Sequence, residues 1–190
     1  LEDSYMPAFL VGLGLARSLA AVNEIPLWQI SHQENHLEAG LWSAQGPDAD
    51  RFLLLHASGG TTDLLLAEKR ADSTYALTQA GGSKDLHAGQ FVDRVGVALG
   101  LQFPAGAALE QLAATAADCI ELPVAVRQGD VSLSGPATAA LRKIEAGADP
   151  AALAAGVQYA LAETFVRMIR NVAAQKEIFD VLLVGGVASN

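Results

Sequence analysis

The stretch FLLLHASGGTTDLLLAE, residues 52–68, decides the fold of this chain. Its apolar runs 52–57 and 62–68 are separated by the turn Ser58-Gly59-Gly60, and short apolar runs bounded by a glycine turn predict two antiparallel strands. A further run, 73–78, predicts a third strand. The sequence therefore predicts an antiparallel meander centred on this turn.

The same glycine turn is a candidate ligand-binding feature. Glycines let a backbone approach a ligand closely and turn N–H groups toward an anion. The hydroxyls of Ser58, Thr61 and Thr62 would add hydrogen-bond donors beside it. The alternative interpretation is an ordinary hairpin turn with no ligand.

A second glycine pair, Gly185-Gly186, follows the apolar run 179–184, which is typical of a strand buried on both faces. Ser189-Asn190 would then open a helix. A buried strand, a tight glycine turn and a helix N-terminus together suit a nucleotide, and the alternative is a close strand–helix crossing. We expect both glycine turns to face the same cleft.

Upstream of the meander, Ser31-His32-Gln33-Glu34-Asn35-His36 places two histidines four residues apart. In a helix both imidazoles emerge from one face, one turn apart, where they can bind one divalent metal ion. Two ligands do not close a metal site, so a pair of partly exposed surface histidines is the alternative.

Composition limits the possible functions. The chain has 190 residues, of which 51% are hydrophobic and 17% charged, as in a globular protein with a real core. We expect no membrane span and no signal peptide. The single cysteine, Cys119, fits a reducing compartment such as the cytoplasm and is expected to be buried on a helix. The net charge of −9 argues against a chain that grips nucleic acid by itself.

The remaining elements surround the meander. Gly46-Pro47-Asp48 is the predicted boundary between two lobes, 1–46 and 47–190. The first lobe is expected to hold a buried helix at 8–22 and a short strand at 27–30 before the histidine helix. In the second we expect a strand at 131–134 and helices up to 99 (capped by Asp85 or His87), at 107–119, at 137–146 and at 151–176, with a break at Gly156 as an alternative for the last. Both ends are expected to lie inside a larger protein.

Five motifs in order carry a resemblance: residues 31–37 (SHQENHL), 57–62 (ASGGTT), 91–95 (FVDRV), 132–135 (SLSG) and 184–190 (VGGVASN). They resemble the successive motifs of TsaD-type proteins, the tRNA threonylcarbamoyladenosine biosynthesis proteins, also known as O-sialoglycoprotein endopeptidase or M22 glycoprotease. The resemblance implies an α/β fold of the actin-like ATPase (ASKHA) type, with two lobes around a nucleotide cleft. This chain would hold the end of the first lobe and most of the second.

The resemblance also implies a reaction and its residues. A threonylcarbamoyl group would pass from its adenylate to N6 of the adenosine next to the tRNA anticodon, with help from a divalent metal: iron or zinc, with magnesium as an alternative. The metal would be bound by His32 and His36. His56 is a third candidate ligand, because some members of the family have a tyrosine ligand at that position. The bound nucleotide would be threonylcarbamoyl-AMP, or ATP or ADP. The substrate-binding positions would be His56, Ala57, Ser58, Gly59, Gly60, Asp93, Gly106, Glu110 and Asn190.

Departures from the family pattern indicate a divergent member. Thr61 stands where the family usually has histidine or asparagine, Ala137 stands where it often has lysine, and a further metal-binding aspartate is expected after Asn190. A non-catalytic scaffold that binds a nucleotide is therefore an alternative function. A metallo-glycoprotease is a weaker one, because Gln33 rather than glutamate follows His32.

The expected partners follow from the same resemblance. They are tRNA, reached through a multiprotein complex, and the partner proteins of the threonylcarbamoyladenosine pathway. A dimer through an actin-like lobe is a further expectation, and no membrane is expected.

Overall fold

The structure, a computed structural model, describes residues 7–189. The chain divides into two compact units, Leu1–His32 and Gln33–Asn190. In the first unit the described element is helix α1 (Pro7–Asn23), as the sequence predicts. Its apolar side chains are not buried: Val11, Leu15 and Val22 are 73%, 61% and 82% exposed. The predicted buried helix is therefore correct as a helix and wrong as to burial, since nothing described in this unit covers those side chains.

The strand predicted at 27–30 is wrong. These residues are irregular, and Trp28 is 84% exposed. Alternating sequence alone does not form a strand, because a strand needs a neighbour to bond its backbone. None of the six strands in the sheet includes residues 27–30.

The second unit is built around a six-stranded sheet of order β4-β5-β3-β2-β1-β6. The strands are β1 (Arg51–Ala57), β2 (Thr62–Lys69), β3 (Tyr75–Ser83), β4 (Ala125–Arg127), β5 (Asp130–Ser132) and β6 (Val181–Val184). The helices are α2 (His32–Ala44), α3 (Ala88–Ala98), α4 (Gly106–Ala113), α5 (Ser134–Glu145) and α6 (Pro150–Lys176). A single 3₁₀ turn, Gly186–Ser189, follows β6.

The antiparallel meander predicted from residues 52–68 is confirmed, with β1 paired to β2 and β2 paired to β3. Strand β3 continues through Gly81 and Gly82 to Ser83, beyond the predicted range 73–78. A Cβ atom on Gly81 would lie 2.1 Å from the carbonyl oxygen of Gly129. These glycines therefore do not end the strand. They leave room for the segment before β5 to approach the backbone of β3.

The sheet is covered on two faces. Leu53 and Leu55 of β1 belong to a large core cluster beneath α3, α5 and α6. Phe52 and Leu54 point to the opposite face and pack with Leu37 of α2. Because both faces are covered, β1 is buried from its second residue to its last.

Strand β6 lies parallel to β1 at the edge of the sheet. Its burial on both faces, predicted from continuous hydrophobicity, is wrong: Leu182 and Val184 are buried, but Leu183 is 54% exposed. Leu183 lines an open cavity together with Leu161 and Phe165 of α6, so an all-apolar run here does not mean burial on both faces.

Three helical predictions need correction. Helix α4 ends at Ala113 rather than at 119, so Cys119 lies outside a helix and is exposed. Helix α6 runs unbroken through Gly156, where a Cβ atom would lie 2.0 Å from the carbonyl oxygen of Ile120. Gly156 therefore permits a close contact rather than ending the helix.

No helix within the described residues is both long and apolar enough to span a bilayer.

Candidate functional site

Three of the chain's four histidines lie together. His32 and His36 are one turn apart on α2, and His56 is near the end of β1. One ring nitrogen from each can be chosen so that all three lie within 4.8 Å of one another. The ring centroids of His36 and His56 are 4.1 Å apart. The tertiary structure thus adds His56 to the pair of histidines found by their spacing.

The alternation of β1 explains the direction of His56. It lies two residues after Leu54 and four after Phe52, so it points to the α2 face of the sheet. Its pairing with Asp63 on β2 and Val184 on β6 places it inside the sheet, and it is fully buried. Three imidazoles on two rigid elements form a set of nitrogen donors suited to zinc or iron.

The turn between β1 and β2 is closed by a hydrogen bond of 2.8 Å from the Ser58 N–H to the Thr61 carbonyl. Among the described residues other than the chain neighbours, no heavy atom lies within 4 Å of where a Cβ would stand on Gly59 or Gly60, so these glycines face open space. One expected donor is corrected: the Thr62 hydroxyl is fully buried and accepts a hydrogen bond from the Ala88 N–H. It therefore does not face a ligand.

Both glycine turns line one cavity, as the sequence predicts. Its walls include Gly59 from the first turn, Gly186 from the second, Asp93 from α3 and Gly106 from the start of α4. Four of the residues singled out in the sequence thus line the same cavity, although they come from four separate segments.

The second turn closes against the first strand. Gly185 has a φ of +100°, and a Cβ there would lie 2.2 Å from the Ala57 carbonyl oxygen. Only glycine fits this combination of backbone conformation and contact. Gly185 thereby holds the end of β6 against the end of β1.

Other expected substrate residues are not among those that line this cavity. Ala57 and His56 are buried in β1, and Glu110 is exposed on α4, one turn after Gly106. Asn190 lies outside the described residues. The residues that depart from the family pattern do not line this cavity either. Thr61 is partly exposed in the turn before β2, and Ala137 is fully buried in the large core cluster.

Asp93 has a fixed orientation. Its Oδ1 accepts a hydrogen bond of 2.7 Å from the Ala105 N–H, immediately before Gly106. This bond ties α3 to the start of α4, so the carboxylate and the Gly106 backbone form one wall of the cavity.

Asp63 lies opposite His56 in the β1–β2 ladder, and sequence reasoning missed it. Burial raises the pKa of its carboxyl, while the neighbouring His87 and Lys84 partly oppose that shift. Its Oδ1 lies 3.0 Å from where a Cβ of Gly82 would stand, so the carboxylate points along the sheet toward β3.

Asp85 is a structural tie that sequence reasoning offered only as a helix cap. Its carboxylate accepts hydrogen bonds from the hydroxyls of Ser132 and Ser134 and from the N–H groups of Leu86 and Leu133. Partial burial raises the pKa of this carboxyl, but these hydrogen bonds outweigh burial and hold its pKa well below the ordinary 3.8. The loop before α3 is thus fastened to the start of α5.

We expect Asp85→Ala to lower the free energy of unfolding by about 2 kcal/mol at pH 7, because several charge-assisted bonds are lost at a partly solvated site. The folded-state pKa lies below the unfolded value, so this contribution is complete above about pH 5 and is lost as the pH falls below 3.8. Urea unfolding of both proteins from pH 3 to pH 8 measures the difference. Asp118→Ala, which removes a carboxylate that accepts a hydrogen bond from the N–H of Cys119, is the control. A difference that does not narrow in acid would contradict the assignment.

The family model TsaD, described as tRNA N6-adenosine threonylcarbamoyltransferase, matches residues 5–190. A protein of that name from Methanopyrus kandleri is 36% identical over 97% of this chain and 52% of its own length. One from Thermus thermophilus is 37% identical over 96% of this chain and 55% of its own length. The chain thus spans about half the length of these relatives.

Two further matches are informative. A probable bifunctional tRNA threonylcarbamoyladenosine biosynthesis protein from Methanothermobacter thermautotrophicus is 34% identical over 97% of this chain and 33% of its own length. Component A of (R)-2-hydroxyglutaryl-CoA dehydratase from Acidaminococcus fermentans has a similar structure, with a TM-score of 0.53 and 18% identity, covering 88% of this chain and 57% of that one. This neighbour has the actin-like ATPase fold, so the predicted fold class is confirmed.

Proposed function

The chain belongs to the TsaD family, and from this premise we propose that it transfers a threonylcarbamoyl group from threonylcarbamoyl-AMP to N6 of the tRNA adenosine next to the anticodon. In the transfer, N6 forms a bond to the carbamoyl carbon and the bond from that carbon to the phosphate oxygen breaks. AMP leaves, and N6 gives up one proton. No observation favours the scaffold or the glycoprotease.

The observation that carries this proposal is the cavity between the two glycine turns. Gly59 and Gly186 bring backbone without side chains to its lining, and Asp93 brings a carboxylate beside the Gly106 backbone. Glycine backbones suit a phosphate, which must approach N–H groups closely. A carboxylate suits the hydroxyls of the ribose or of the threonyl group, which donate hydrogen bonds to it. The adenylate is the substrate that combines both kinds of group.

We propose the histidine cluster as the metal site of this enzyme. His32, His36 and His56 would hold the ion, and three imidazoles favour zinc or iron over magnesium, which prefers oxygen ligands. A divalent ion bound there would act as a Lewis acid on the carbamoyl carbonyl and would offset phosphate charge. The protein's own part is to hold these donors on α2 and β1, so that they need little rearrangement.

The proposed partners are tRNA and the proteins of the same pathway. The net charge of −9 gives this chain little attraction for a polyanion, so tRNA would be held through a multiprotein complex. We further propose cytoplasmic location, a division into lobes at 46/47 and a dimer through an actin-like lobe. Mass spectrometry of nucleosides from tRNA incubated with this chain, its partners and threonylcarbamoyl-AMP tests the activity directly.

We expect Asp93→Ala to weaken AMP binding about tenfold, or ~1.4 kcal/mol, because both a ligand contact and the anchor to Ala105 are removed. Asp93→Asn keeps an acceptor for the Ala105 N–H, so it separates loss of charge from loss of anchoring. Isothermal titration with AMP measures both. Asp72→Ala is the matched control, since that carboxylate also accepts a backbone N–H but lies in the β2–β3 turn. Equal AMP affinity in Asp93→Ala and the unsubstituted chain would remove Asp93 from the proposed site.

A further inference from the structure

The substrate loop, residues 56–60, rests on the first turn of α3. The N–H of Ala88, the first residue of that helix, donates to Thr62 Oγ1 at 2.8 Å, across 26 residues of sequence. An N–H in the first turn of a helix has no acceptor within the helix. The Thr62 hydroxyl supplies one in a fully buried place, where an unmade hydrogen bond is costly.

A second bond and a close contact extend this support. The Gly89 N–H donates to the Ser58 carbonyl at 3.1 Å. A Cβ on Gly89 would lie 2.5 Å from the Cα atom of Gly59, so the loop touches the helix with no room for a side chain between them. Thr62 itself pairs with Ala57 at the base of the loop. The loop is therefore held at its base and at the Ser58 carbonyl.

The same helix contributes a carboxylate to the lining of the cavity. Asp93 lies one turn after Gly89 on α3, and both residues line the cavity with Gly59. Helix α3 is thus the common support of the glycine turn and of the carboxylate. A movement of the loop on α3 changes the distance between the backbone of Gly59 and the carboxylate of Asp93.

We propose that Thr62 is a positioning residue: its buried hydroxyl fixes the substrate loop on α3 and so sets the distance between the Gly59 backbone and the Asp93 carboxylate. The inference rests on the proposed function in taking an adenylate as the ligand. Thr62 touches no substrate in this account and acts through Ala88. Both the shape and the hydrogen bonding of threonine suit this position. Valine would fill the same volume but could not accept the Ala88 N–H, whereas serine would keep the acceptor.

The test compares Thr62→Val and Thr62→Ser with the unsubstituted chain. Thr164→Val is the matched control. Thr164 is also buried, and its hydroxyl donates a hydrogen bond to the Ala160 carbonyl on α6, but it lies away from the cavity. We expect Thr62→Val to raise the Kd for AMP about tenfold and Thr62→Ser to change it less than about twofold. Thr164→Val should lower the melting temperature without changing the Kd. Hydrogen exchange at the Ser58 and Gly89 amides should quicken about tenfold in Thr62→Val alone.

Two arms separate the inference from the proposed function. If the unsubstituted chain fails to bind AMP, the proposed function is wrong, and exchange at Ser58 and Gly89 still decides whether Thr62 fixes the loop. Unchanged exchange in Thr62→Val overturns the inference whatever AMP does. Faster exchange with an unchanged Kd also overturns it, since the loop would then be held without positioning the ligand.

Discussion

Replacement of His36 with alanine is expected to lower the affinity of the chain for zinc at least a hundredfold. Three imidazole nitrogens on α2 and β1 are close enough to share one ion, and His36 is the member in ring contact with His56. With His36 removed, two nitrogens remain, and two ligands do not close a protein zinc site. The measurement is zinc titration against a competing chelator, repeated with ferrous iron in the absence of oxygen.

His36 is a better target than His56 for this test. His56 is fully buried inside the sheet, so its truncation would leave a cavity in the core and destabilise the fold. His36 is partly exposed on a helix. His87→Ala is the matched control, because His87 is the fourth histidine of the chain and lies outside the cluster. Equal zinc uptake by the unsubstituted chain, His36→Ala and His87→Ala would contradict a metal site. The cluster would then be an ordinary contact between histidines.

Substitution of Gly185 with alanine is expected to lower the free energy of unfolding by about 3 kcal/mol, from backbone strain and overpacking together. Gly185 has a φ of +100°, and an added Cβ would meet the Ala57 carbonyl oxygen at 2.2 Å. The ends of β1 and β6 would have to separate, which moves the second glycine turn away from the first. We therefore also expect weaker AMP binding. Thermal unfolding should show a melting temperature lower by about 6–12 °C.

The neighbouring glycine supplies the control for stability. Within the part of the chain that the structure describes, a Cβ on Gly186 would meet no atom within 4 Å other than its chain neighbours, and Gly186 has no positive φ. We expect Gly186→Ala to change the free energy of unfolding by less than about 1 kcal/mol. If the two substitutions destabilise the protein equally, the contact of Gly185 with Ala57 is not what holds the two strand ends together.

The sequence by itself determined the elements whose cause is local. The apolar runs around Ser58-Gly59-Gly60 predict β1 and β2, and the spacing of His32 and His36 predicts two imidazoles on one helical face. These predictions succeed because strand and helix periodicity record which side of one element is buried. Order also carried information: motifs in a fixed succession identified the family, as the match over residues 5–190 confirms.

Local pattern was least informative where burial depends on a neighbour. The run 179–184 has the composition of a central strand, yet Leu183 is exposed because β6 is at the sheet edge. Residues 27–30 alternate but have no strand partner in the described sheet. Hydrophobicity along one segment does not specify which other segments lie against it.

Only the tertiary structure decided which side chains meet. His56 reaches His36 because the register of β1 turns it toward α2. Asp85 binds Ser132 across 47 residues, and Thr62 binds Ala88 across 26. A hydrogen bond or a shared ion requires atoms within about 3 to 5 Å, and such a distance follows from strand pairing and helix packing. The sequence therefore determined the kinds of groups available to the site, and the pairing of distant segments determined their arrangement.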